Sequence, residues 1–359
     1  MLGIAQALLV TMFLKTAMTS EKLIDIPLSI LDLVPIIEGG TIETVLKNSL
    51  ILAQQAEKFG YNRYWLAEHH NMETVASSAT AVLIGYIAGG TKTMRVGSGG
   101  IMLPNHAPLV VAEQFGTLAS LYPNRIDLGL GRAPGTDQLT AKALRRSNLN
   151  TVLTFPDDVI ALQTYFSADN KKASVRAIPG EGLDIPIWIL GSSTDSARLA
   201  ANFGLPYAFA SHFAPTHLEE AVHIYRRDFR PSVYLEKPYL MACTNAVVAD
   251  TNAEAERLVT SYYQLVVDMI SGNRRKLQPP VDTMEGRWSD YEEASVKQMT
   301  RYSFIGDVEK IKAEITRFQQ QFQLDEIMFT SNIYDLKARV RSYELLMLVN
   351  GGVKKEVIQ

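Results

Sequence analysis

From residue 26 onward, short apolar runs alternate with longer stretches whose apolar positions recur at helical spacing. The short runs, read as strands, fall at 26–33, 61–67, 94–99, 125–130, 187–190, 207–210, 240–249 and 326–330. They are rich in β-branched and aromatic residues and bounded by Gly, Pro or polar turns. Between and after them, helical patterns cover 41–59, 77–88, 108–121, 156–165, 194–202, 218–229, 253–270, 307–321 and 336–349. In the first of these, Val45, Leu46, Leu52, Ala53 and Ala56 line one face. Thr41 with Thr44 gives an approximate capping start, and Gly60 closes the helix. Residues 133–184 are less regular, and 271–300 form a polar excursion holding Arg274, Arg275, Pro279 and Pro280.

Strand–helix alternation implies parallel pairing through crossovers. Eight such units fit a closed (β/α)8 TIM barrel, an α/β fold with insertions, better than an open sheet. One domain over 24–350 is expected, since no low-complexity linker divides it.

Composition narrows the partners. The chain has 359 residues, a net charge of -3 and dispersed basic side chains, so no nucleic-acid surface is expected. A single cysteine, Cys243, makes neither an internal disulfide nor a thiolate zinc site, and reads as a small buried hydrophobe. The apolar run 2–14 is too short to span a bilayer, and its charge, Lys15, follows it instead of preceding it. Residues 1–23 are therefore read as an over-called leader or disordered tail with Met18 as a candidate start. A weak signal peptide or a docked helix are the alternatives. A cytoplasmic protein without membrane association is expected.

Chemistry concentrates where the strands end. Tyr64-Trp65-Leu66-Ala67-Glu68-His69-His70 carries an apolar strand directly into a carboxylate and two imidazoles. In a parallel α/β fold the C-terminal strand ends face the ligand. Adjacent side chains on extended backbone point to opposite sides, so one of the two histidines faces the pocket. His69 is assigned proton transfer or hydrogen bonding near neutral pH, with Glu68 holding its tautomer; a structural pair satisfying loop backbone is the competing use. Zinc is disfavoured because neighbouring histidines do not converge. Gly97-Ser98-Gly99-Gly100 ends the third strand, where absent Cβ atoms admit a flat ligand or simply make a tight turn. His106 lies in the following loop, at the pocket rim or in solvent. Arg132, after Gly129-Leu130-Gly131, offers a fork of donors to a phosphate or carboxylate; a salt bridge to Asp137 or another strand-end acid competes. Leu190-Gly191-Ser192-Ser193-Thr194-Asp195-Ser196 runs from strand through hydroxyls into a helix start, which is a phosphate cradle in form, or a plain N-cap by Ser193 or Thr194. No G-x-G-x-x-G follows the first strand, so a Rossmann dinucleotide site is not supported.

These segments, with Gly100-Ile101-Met102-Leu103-Pro104 and Ile187-Trp188-Ile189-Leu190-Gly191-Ser192-Ser193, resemble in order and spacing the bacterial luciferase-like flavin monooxygenases over about residues 26–349. The resemblance implies a TIM barrel binding reduced FMN at its C-terminal face, with His69 as the catalytic histidine and Glu68 as the acid before it. It places Ala67, Gly99 and Gly100 near the isoalloxazine ring, often over an unusual peptide at the glycines. It places Arg132 near the flavin phosphate, with Leu190, Gly191, Ser192, Ser193 and Ser196 forming the rest of the cofactor cradle. Gly131 stands where light-emitting members carry a reactive cysteine, and Ser192 where they carry an acid, so light emission and a long-chain aldehyde substrate are not carried over. The implied reaction forms a C4a-peroxyflavin from reduced FMN and O2 and passes one oxygen to a small organic substrate. A separate flavin reductase supplies the reduced cofactor, and the resemblance implies a homodimer through helix 41–59 or 77–88. A deazaflavin-dependent oxidoreductase on the same barrel and a flavin-binding protein without turnover are the alternative readings. Apolar loop residues Pro35, Ile36 and Ile37 give a mild preference for a hydrophobic substrate.

Overall fold

The computed structural model describes residues 25–133, 135–144 and 153–350. The expected 1–23 leader lies outside them. Nine strands are formed among the described residues: β1 (Leu28–Asp32), β2 (Arg63–Leu66), β3 (Arg95–Met102), β4 (Ile126–Gly131), β5 (Ile187–Gly191), β6 (Tyr207–Ala210), β7 (Leu240–Val248), β8 (Phe304–Gly306) and β9 (Glu326–Thr330). The pairings run β1–β2–β3–β4–β5–β6–β7–β9 and return to β1, all parallel. This is a closed eight-stranded (β/α)8 barrel, and each of its strands contains or overlaps one of the eight apolar runs. The ninth strand was not anticipated. β8 is three residues long and lies outside the ring, pairing with the far end of β7 at Ala246–Val248.

Alternation along the strands sends every second side chain inward. At the N-terminal end the barrel is plugged by charge. Arg63 bonds Asp127 Oδ2 at 2.8 Å and Glu326 Oε1 at 2.8 Å, and its guanidinium carbon lies 4.8 Å from the centre of the Trp188 ring. The middle is filled by Leu31, Trp65, Trp188, Met241 and Met328, with the two indoles edge to face at 5.2 Å. Toward the C-terminal end the inward positions shrink to Ala67, Ala208, Cys243 and the glycines of β3 and β4, with Leu190 on β5. Side-chain volume thus falls toward the C-terminal end of the barrel.

The helices follow their local signals. Helix Ile42–Phe59 starts at Thr41, whose hydroxyl accepts the Thr44 N–H at 3.1 Å, and ends at Gly60 in the left-handed region. The pattern 253–270 is two helices, Asn252–Leu258 and Thr260–Ile270. Thr260 Oγ1 bonds back to the Arg257 carbonyl at 2.6 Å and takes the Val281 N–H at 2.8 Å, which draws the chain out of line at the β-branched pair Val259-Thr260. The polar excursion 271–300 contains helix Asp290–Met299, opened by a Ser289/Glu292 capping box. Helix Gln138–Leu144 was likewise unanticipated. Leu277 exchanges backbone hydrogen bonds with the 36–38 segment after β1, so the excursion is tied down at the C-terminal mouth. Among the described residues no helix is long and apolar enough to cross a membrane.

Candidate active site

Glu68 is the hub of the β2 end. It is 1% exposed, and its Oε1 accepts from His70 Nε2 at 2.7 Å and His106 Nε2 at 2.8 Å, while Oε2 accepts the Met102 N–H at 3.1 Å. Burial alone would raise its pKa. The two imidazoles and the Met102 amide outweigh burial and hold the carboxyl at about 2. His106, read from sequence as a rim or solvated residue, is therefore bonded inward. His70, two residues past Glu68 in the irregular segment after β2, turns back onto its carboxylate. The ligand-type atoms of Glu68, His70 and His106 lie within 4.8 Å of one another, a convergence that adjacency of His69 and His70 did not suggest. The two Nε2–Oε1 separations are hydrogen-bond lengths.

His69 is left for the mouth. Its backbone N–H is held by the Ser77 carbonyl at 2.9 Å, and its buried Nδ1 has no hydrogen-bond partner. Burial lowers its pKa, Glu68 acts in the opposite direction, and His70 adds to the lowering. The imidazole is neutral at pH 7. The residue that sequence reasoning missed is His212, just beyond β6. Burial, with His69 as the second cause, pushes its pKa down to about 4, and its Nδ1 is also buried without a partner. The ring order makes β2 and β6 opposite members of the barrel, and the two imidazoles beyond their ends come close enough for a charge on one to disfavour a charge on the other. His212 lies in the turn just past β6, which ends at Ala210, so strand alternation gave no signal for it.

Between them lies a glycine-lined arc. A Cβ on Gly99 would meet Leu31 Cδ1 at 2.7 Å, and one on Gly100 would meet Leu190 Cδ1 at 2.5 Å. On Gly129 it would strike the Ser98 carbonyl oxygen, and on Gly191 the Ser196 hydroxyl. The Gly99–Gly100 peptide is cis. Ala67 keeps its methyl in the barrel interior while its carbonyl accepts from Ser77 and Thr80.

At the edge of this arc stands the N-terminus of helix Thr194–Phe203. Ser193 occupies the N-cap position, but its side chain makes no capping bond, so hydroxyl and first-turn amides remain available. Arg132 reaches this end and meets Asp195 Oδ2 at 3.7 Å, both side chains being well exposed. The competing partner Asp137 instead bonds Asn71 and Thr140. Ser192 is half-buried beside Ser193. Ser196 points inward, donating to the Ser193 carbonyl at 2.7 Å and sharing a 2.9 Å bond with the Tyr207 hydroxyl. It braces the turn from beneath. Glu68, His69, the glycines, Arg132 and the 190–193 turn thus belong to one end of one barrel. The donor set fits an anionic group such as a phosphate: a helix N-terminus without a side-chain cap, and a guanidinium beside it.

Fold and site together define a TIM-barrel enzyme with its chemistry at the C-terminal strand ends. Residues 29–322 match the luciferase-like monooxygenase family. A luciferase-like monooxygenase of Escherichia coli (strain K12) is 51% identical over 333 residues, covering 93% of this chain and 98% of that protein. The N-acetyl-S-alkylcysteine monooxygenase of Bacillus subtilis (strain 168) is 33% identical, covering 89% and 97% respectively. The crystal structure of apo-MsnO8 superposes with a TM-score of 0.82 at 31% identity, over 91% of this chain and 99% of that one. The chain belongs to the luciferase-like monooxygenase family and is an oxidoreductase of that class.

Proposed function

We propose that the protein is an FMN-dependent monooxygenase that uses reduced FMN and O2 to oxygenate a small organic substrate. The observation that carries this reading is the juxtaposition of the glycine-lined arc, the uncapped helix N-terminus at Ser193 and the neutral imidazole of His69 at one barrel mouth. Arg132, Ser193 and the amides of helix Thr194–Phe203 would hold the phosphate. Gly99, Gly100, Gly129 and Gly191 let the strand ends pack where no Cβ would fit, which would shape the floor beneath the ring. Bound reduced flavin would supply the two electrons that divide O2 between the substrate and water.

The chain's own residues do the rest. His69, neutral and with Nδ1 free, accepts or returns a proton at the reacting centre. Glu68 fixes the loop beside it through His70 and His106. Leu33, Ala67 and the tied-down 271–300 excursion exclude water from the mouth. Reduced flavin would come from a separate reductase, as no nicotinamide motif is present. Val82 and Tyr86, 71% and 44% exposed on helix Thr80–Gly90, support homodimer formation through this face.

Reduced FMN, 18O2 and the protein, incubated with thioethers (N-acetyl-S-alkylcysteines included), aldehydes, amines and aromatics, test the reading. One labelled oxygen in a product and the other in water is the expected result. Recovery of all the oxygen as hydrogen peroxide with every class, at the rate of free reduced flavin, would refute turnover.

A further inference from the structure

The inner faces of β6, β7 and β9 carry polar atoms for which the flavin reading has no use. Asn245 and Thr330 are cross-strand partners in the β7–β9 register. They extend the inward series Met241–Cys243 and Glu326–Met328 by one step each. Ala210 pairs with Cys243, which sets His212 beside Asn245 on the next strand. Asn245 is 4% exposed and Thr330 1%. The Asn245 amide is oriented by its Nδ2 bond to the His212 carbonyl at 2.7 Å, and the Tyr262 hydroxyl reaches the same carbonyl at 3.0 Å. With Nδ2 so engaged, Asn245 presents Oδ1. That atom, Thr330 Oγ1 and His212 Nδ1 are all buried without a hydrogen-bond partner.

Buried polar atoms in a folded protein are paired as a rule, and each unpaired one costs free energy. Three at adjacent strand ends, at the same end as His69, are polar groups left for a ligand to satisfy. Its chemistry is specific. An amide oxygen only accepts, so the group it meets must donate an N–H or O–H. Neither Asn245 nor Thr330 can bear a charge, and His212 stays neutral at pH 7, so the surface offers nothing to a carboxylate or phosphate.

The geometry points to a substrate subsite in which His212, Asn245 and Thr330 bind an uncharged end of the substrate carrying an N–H or O–H donor. The end to be oxidised then lies toward His69 and the glycine arc on the opposite side of the mouth. This assignment rests on the monooxygenase reading for the word substrate, but the binding it requires does not depend on turnover.

The test compares two probes of nearly the same shape, N-butylacetamide and butyl acetate, which differ by an N–H in place of an ester oxygen. Their dissociation constants are measured by ligand-observed NMR on the full chain, with and without FMN. The amide is expected to bind about tenfold more tightly, the worth of one good hydrogen bond. In Asn245→Ala the preference should fall to about one, and in Thr330→Val it should weaken, with FMN affinity unchanged in both. Thr330→Val conserves shape and guards against collapse of the His212 segment in Asn245→Ala; thermal melts verify both folds. Equal affinity for the two probes in the wild type, or an undiminished preference in both variants, overturns the subsite. Loss of FMN binding with the amide preference intact would instead refute the cofactor reading and leave the subsite standing.

Discussion

His69 and His212 stand at the ends of opposite barrel strands, β2 and β6, close enough that a charge on one opposes a charge on the other. Each keeps a buried Nδ1 without a partner. Two buried imidazoles that both disfavour a charge therefore stand together at the C-terminal end of the barrel. His69→Ala is expected to bind FMN about as well as the wild type while coupling of oxygen use to product falls by about 10²-fold or more. Product yield per reduced FMN measures this, and an undiminished yield would remove His69 from the chemistry.

Burial of His212 makes stability depend on pH. Its folded value of about 4 lies below the ordinary 6.5, so the unfolded chain takes up this proton first as pH falls. The stabilisation is complete above 6.5 and is lost progressively between 6.5 and about 4, in total about 3 kcal/mol at ~1.4 kcal/mol per unit. Urea unfolding at pH 7 and pH 5 should show the wild type losing about 2 kcal/mol more than His212→Asn. Equal losses would contradict the buried neutral ring.

Glu68 joins the end of β2 to the loop after β3. Replacing it by Gln keeps the shape but removes the charge that both imidazoles bond. Glu68→Gln should lower stability by about 1–3 kcal/mol and loosen the segment around His106. Calorimetry and hydrogen exchange of residues 102–106 report on this; an unchanged melting temperature would argue against the hub.

Gly129 lies against the Ser98 carbonyl of the neighbouring strand, and a Cβ there has nowhere to go. Gly129→Ala should destabilise the barrel by about 1–3 kcal/mol and weaken flavin binding, because β3 and β4 must part. At the other end of the barrel, Arg63→Ala would leave the buried Glu326 carboxylate without its guanidinium, while Asp127 keeps Arg95, at a cost of about 3 kcal/mol, without reaching the mouth. Denaturant titration checks both losses, and FMN titration distinguishes the two, since only the first should alter FMN affinity.

Much of this was legible in the chain. The eight barrel strands announced themselves because both of their faces are covered, which leaves near-continuous apolar runs. β8 did not, since Phe304–Gly306 is three residues long and sits outside the ring. Helix Asp290–Met299 buries only Val296, too thin an apolar stripe to see, although its Ser289/Glu292 cap was written in the sequence. His69 was legible as a strand-end imidazole. The inward turn of His106 onto Glu68 was not, because it depends on how the loop after β3 folds back across β2. His212 and Asn245 were hidden for a related reason. Each is ordinary in its own segment, and only the β6–β7 register makes them neighbours. Arg132 was foreseen with an anionic partner, but choosing Asp195 over Asp137 needed the position of a helix start far along the chain.

The central claim is that the mouth holds a flavin by its phosphate. The most direct measurement is the affinity of the flavin-free protein for FMN and for riboflavin, in the wild type and in Arg132→Ala. We expect FMN to bind at least about tenfold more tightly than riboflavin, and the advantage to shrink toward unity in the variant. Equal affinities in the wild type, or an FMN preference untouched by Arg132→Ala, would contradict the account.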